Sequence, residues 1–240
     1  MIRTTVVTVA GLAAIANAGI FSFASDSSDQ HWTLLGDPHG GHYALEDGTP
    51  TGSLMDLFID DHNGVLDPLV FRVDFNAHLD IDYASSSPIG GGKFLHTYHI
   101  EGDAGWYTAA GPVLEMTVDG GLLTIVGDEF SWDTAGSIFG ADTWAGVQYT
   151  SYVDAPDYGM YEGMSVGPQD FSFSLTALNA SGTIPYDWSM PGTALDPQTM
   201  LPVDEIYAEV SFSGSARFIP APGSMALLGL GGMLSARRRR

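Results

Sequence analysis

Between residues 69 and 83 every odd position is apolar: Leu69, Phe71, Val73, Phe75, Ala77, Leu79, Ile81 and Tyr83. From Arg72 onward the even positions are polar: Arg72, Asp74, Asn76, His78, Asp80 and Asp82. A period of two held over fifteen residues describes a strand with one face on a core and one in water. That is long for a single strand, so a bend or bulge is expected near Ala77. The same alternation returns at 171–177 and at 206–212. Residues 113–118 and 122–126 flank Asp119, Gly120 and Gly121, a sequence that accepts positive φ and predicts a hairpin. Further strands are predicted at 32–35, 53–59, 93–100 and 147–153. Glycine and proline punctuate these runs, and residues 180–202 read as a long loop packed by Tyr186 and Trp188. No apolar stripe of helical period stands out between the two ends of the chain. The fold class expected is all-β: a two-sheet antiparallel sandwich, jelly-roll-like or another Greek key.

The two ends break the alternation. Arg3 precedes an apolar run over 6–16, too short to span a bilayer as a helix but suited to a signal-peptide core. Ala16 and Ala18 put small residues at both specificity positions of a signal peptidase site, so the expected cut leaves Gly19 first; a second candidate cut follows Ala24. At the other end, Pro220, Ala221 and Pro222 lead into an apolar stretch over 223–236, then Arg237, Arg238, Arg239 and Arg240. As a helix that stretch covers about 21 Å, against about 30 Å of hydrocarbon. The arginines would hold the cytoplasmic side. The chain thus divides into a signal segment (1–18), one β domain (19–218) and a tail (219–240), with a short helix expected in each flank.

Charge sharpens this division. The full chain carries −21, but five of its eight basic residues lie in the two ends. Between them only Arg72, Lys93 and Arg217 oppose all 29 acids, a net of −26. A nucleic-acid partner is excluded by repulsion from phosphate. Cysteine is absent, so disulfides, thiolate catalysis and thiolate zinc sites are excluded too.

The tail resembles the PEP-CTERM sorting signal of bacterial exosortase substrates. Pro220, Ala221 and Pro222 stand where that family has Pro-Glu-Pro, with alanine replacing the glutamate; the apolar stretch and four arginines follow in the same order. The resemblance covers about 21 residues and is silent about the domain. It implies export, transient membrane association through the tail, and processing by signal peptidase and an exosortase-like enzyme. It also implies a place at the cell surface or in an exopolysaccharide matrix.

Candidate chemistry within the domain is sparse. Asp60, Asp61, Asn63 and Asp67 put oxygen side chains around Gly64, as a calcium loop requires, though without EF-hand spacing; a solvated Asn-Gly turn is the alternative. Asp74, Asp80 and Asp82 share a strand face with His78, as a glycosidase pair or a solvated acidic face. His39 and His42 flank two glycines that could curl around a metal, whereas His96 and His99, three apart on a strand, point to opposite faces. Trp106, Tyr107, Trp132, Trp144 and Tyr149 are candidates for a sugar-stacking platform or for core. No catalytic residue is assigned. The expectation is a non-enzymatic structural or adhesive matrix protein; the alternative is a carbohydrate-binding or carbohydrate-active sandwich.

Overall fold

The structure is a computed structural model. It describes residues 18–24, 32–37, 42–46, 55–60, 65–179 and 193–219. Its strands are β1 (Ala18–Ala24), β2 (Trp32–Asp37), β3 (His42–Glu46), β4 (Met55–Asp60), β5 (Leu69–Gly90), β6 (Lys93–Thr108) and β7 (Gly111–Gly127). There follow β8 (Ser131–Trp132), β9 (Ala135–Ala141), the short helix α1 (Asp142–Ala145), β10 (Gln148–Ser151) and β11 (Gly163–Met164). The last are β12 (Asp170–Asn179), β13 (Thr193–Ala194) and β14 (Ile206–Arg217). The all-β, antiparallel expectation is borne out. The two flanking helices fall outside the described residues.

The hydrogen bonds close a circuit. β1 pairs with β4, β4 with β5, β5 with β6, β6 with β7, β7 with β9, β9 with β12, β12 with β14, and β14 returns to β1. These eight strands neighbour one another in chain order, so the circuit runs up and down rather than by the Greek-key order expected. The pair β2–β3 is the departure: it joins the start of β14 to the middle of β5, beside the β1–β4 bridge between the same two strands. Closure removes most free edges, which otherwise invite pairing between molecules.

Inside the circuit sits an aromatic cluster. Phe212 lies between Trp106 and Phe173, with ring centroids 4.9 Å away in each case, and Phe23 reaches both Phe212 at 5.4 Å and Phe75 at 5.2 Å. These rings come from β1, β5, β6, β12 and β14, so they tie opposite sides of the circuit together. At one end Trp132 donates its indole N–H to Tyr98, whose hydroxyl donates to the carbonyl of Met200. Burial, with a smaller contribution from Tyr83, pushes the pKa of that phenol well above the ordinary range, against the opposing hydrogen bond from Trp132.

The long strands keep their faces straight by bulges, and here two expectations need correction. Residues 113–118 and 122–126 are not the arms of a hairpin. Both belong to β7 and both pair with β6, with the register shifting opposite Ile100 and Glu101. Gly120 takes φ +99 and forms the bulge. Inward positions are even before it (Leu114, Met116, Val118) and odd after it (Leu123, Ile125), as one extra residue dictates. In β5 the alternation does hold through Ile81, but the register shift lies between Tyr83 and Ser85, beyond the expected Ala77.

Candidate functional site

Three places gather polar groups or chain ends. The first is the point where the chain enters and leaves the domain. Ala18 pairs with Arg217 across β1 and β14. Gly19 and Phe218 are buried, and Ile219 is exposed. A Cβ on Gly19 would lie 3.0 Å from the Met160 sulfur, so the residue expected to begin the mature chain is already in close packing. Ala16, the apolar run before it, and Pro220, Ala221, Pro222 and Arg237 to Arg240 lie outside the described residues.

The second is a carboxylate on β7 held between two phenols, one from β6 and one from the residue that follows β10. Tyr107 donates to one oxygen of Glu115 at 3.2 Å, and Tyr152 to the other at 2.6 Å. Gly105 stands opposite Glu115, and a Cβ there would fall within 2.3 Å of the Tyr107 hydroxyl; the missing side chain lets that ring lie back over its own strand. Burial, then the Glu115 carboxylate, pushes the Tyr107 hydroxyl up to about 12. The hydrogen bond to Glu115 raises Tyr152 as well. Both phenols therefore remain donors at neutral pH.

The third is a chain of hydrogen bonds in the β5–β6 hairpin. The shift after Tyr83 turns Ser86 inward, while Ser85 and Ser87 are exposed. Ser86 is the cross-strand partner of His96. Its Oγ lies 2.6 Å from Nδ1, and Nε2 lies 2.8 Å from the backbone carbonyl oxygen of Asp128. Tyr83 donates to the same serine oxygen at 3.1 Å. The His96 ring is fully buried and stacks with Phe94. Close by, Lys93 bridges Asp128 at 3.0 Å and Asp133 at 2.9 Å, and those hydrogen bonds raise its pKa. Sequence reasoning placed His96 and His99 on opposite faces, and His99 is indeed exposed; it did not find Ser86, because no local spacing announces a partner ten residues away across a bulged hairpin.

The other expected sites scatter. The aromatic platform does not form: Trp106, Trp132 and Tyr149 are fully buried in the core, and of the five candidates only Trp144 is strongly exposed. Hydrophobic burial outweighs display for rings at inward strand positions. Asp74 and Asp82 are exposed on the outer face of β5, and Asp80 is 3.8 Å from His78. In the calcium stretch, Asp60 ends β4, and the backbone carbonyl of Asp67 accepts from Tyr158 at 2.9 Å. Asp61 and Asn63 lie outside the described residues, as do His39, Tyr186 and Trp188; of His42 only the backbone of β3 is described. No group of three or more metal-binding side chains occurs among the described residues. Nor, among them, is any helix long and apolar enough to cross a membrane.

No family model, no curated protein and no solved structure matches the chain.

Proposed function

We propose that this chain is an exported, surface-sorted protein whose β domain has a structural or adhesive role in the extracellular matrix. The observation that carries the reading is the pairing of Ala18 with Arg217. The segments expected to be processed, one before residue 19 and one after residue 219, leave the domain side by side. A domain with both ends at one point can remain tethered at that point while the rest of it faces away. Read as a sandwich, the circuit of strands would form two layers closed along both sides. Its strong negative charge keeps such a body soluble and apart from anionic surfaces.

Strand β1 also favours one signal cleavage site over the other. A cut after Ala18 removes only the first residue of the strand and keeps Gly19 to Ala24 paired with β14. A cut after Ala24 would remove Phe21 and Phe23, both buried, and strip the partner from β14 and β4. The exosortase-like enzyme would then act near Pro220, Ala221 and Pro222, where two prolines keep the backbone extended. Intact mass of the protein from a host with an exosortase should show a chain beginning at Gly19 and lacking residues 223–240. A mature chain that retains its arginines would refute the sorting reading.

For the carbohydrate-binding or carbohydrate-active alternative, Trp106 and Trp132 offer no stacking surface, being core, while Trp144 is exposed and Tyr107 half-buried. Calcium at Asp60, Asp61, Asn63 and Asp67 stands as a separate proposal. It requires that the melting temperature rise with added calcium and fall with chelator, by linkage.

A further inference from the structure

The hydrogen-bond chain of the β5–β6 hairpin has the arrangement of an activated nucleophile. A backbone carbonyl only accepts hydrogen bonds, so the contact with Asp128 fixes the proton of His96 on Nε2. In the neutral ring Nδ1 is then the acceptor, and the Ser86 hydroxyl donates to it across 2.6 Å. A serine donating to a histidine that a third group orients is the recurring geometry of nucleophilic catalysis. Here a carbonyl stands where a carboxylate often stands. It holds the tautomer and can stabilise the imidazolium once formed. The buried ring is packed against Phe94, so its position is set before any ligand arrives. Ser86 is half-buried and is the member of the pair nearer to solvent. Tyr83, 39 % exposed, puts a donor 3.1 Å from the attacking oxygen.

We propose that Ser86 is a nucleophile, with His96 as its general base, for acyl transfer from small uncharged esters. In the first step Ser86 Oγ bonds to the ester carbonyl carbon and its proton passes to His96 Nδ1. The bond from that carbon to the alcohol oxygen then breaks, and the departing alcohol takes the proton from Nδ1. Water repeats the sequence on the acyl-serine, releasing the acid and restoring the Ser86 proton. The ester class follows from the surroundings. The acidic body repels anionic substrates. Ile89, three residues beyond Ser86, and Phe130, two residues beyond Asp128, are exposed apolar side chains, and the proposal assigns them to a short acyl chain.

The test is labelling of the full chain with a fluorophosphonate, which phosphonylates histidine-activated serines, followed by peptide mapping. The expected result is an adduct on Ser86 and none on its exposed neighbours Ser85 and Ser87. Ser86→Ala should abolish it. His96→Gln is the informative variant, because an amide can donate to the Asp128 carbonyl and accept from Ser86 while having no basicity. It should melt as a folded protein yet label, and hydrolyse p-nitrophenyl acetate, at least about 100-fold more slowly. Equal labelling of the three serines, or a folded His96→Gln that labels as fast as the parent, would reduce the chain to a structural role and overturn the proposal. Neither outcome bears on the sorting tail.

Discussion

Phe212 shows what a single side chain contributes to this domain. Its ring meets those of Phe23, Trp106 and Phe173 at 4.9–5.4 Å, and it is almost fully buried. Phe212→Ala should cost about 3–5 kcal/mol, because four strands would border the cavity and none can move in without losing its own pairing. Denaturant unfolding measures this directly. Tyr107 gives a pH signature. A free tyrosine titrates near 10, whereas this one holds its proton to about 12. The fold favours the protonated phenol, so the stability it supplies is present below pH 10 and is lost as the pH rises through about 12. Melting temperatures taken across that window should fall less steeply for Tyr107→Phe than for the parent. At this scale the sequence was readable where position alternates, as at Phe75 and Phe173. It left the choice open where a large ring could serve either core or surface, as at Trp106 and Trp132. Residue type states how much area an aromatic ring can bury, not whether a second layer covers it.

Elements are governed by where the long strands bend. Gly102 takes φ +141, and a Cβ there would lie 2.1 Å from the His78 carbonyl oxygen of the neighbouring strand. Gly102→Ala is expected to destabilise by about 1–3 kcal/mol through backbone strain alone. The clash adds to that, so the loss should exceed that of an alanine at exposed Gly91, where nothing lies within 4 Å. Comparing the two unfolding midpoints tests the point. Glycine also explains the misread hairpin. A left-handed glycine serves a turn and a bulge equally, and Asp119, Gly120 and Gly121 contain no signal that separates them. The choice was made by β6, which is long enough to pair with residues on both sides of the bulge. The same limit hid Ser86: its inward direction depends on one extra residue after Tyr83, and the pairing partner defines that residue.

The whole molecule depends on closing the circuit, and β14 is its junction, paired with β1, β2 and β12. A chain beginning at residue 25 lacks β1. It should show no cooperative thermal transition and lose near-ultraviolet dichroism from the aromatic cluster, whereas a chain beginning at Gly19 should retain both. Charge acts at this scale as well. With 29 acids between its ends and Arg72, Lys93 and Arg217 as the basic residues there, the body repels itself. Its melting temperature should therefore rise as salt goes from about 10 mM to about 150 mM, over which the Debye length falls from about 30 to about 8 Å. The sequence by itself determined the all-β class, the inward faces of the longest strands, the charge contrast between body and ends, and the expectation of processing at both ends. Each of these is a local or summed property of residue types. The tertiary structure alone decided the up-and-down order, the bulges, the burial of the tryptophans, the meeting of Ala18 with Arg217 and that of Ser86 with His96. Those depend on which strands pair and in what register, and backbone hydrogen bonds leave that choice to the packing of the whole.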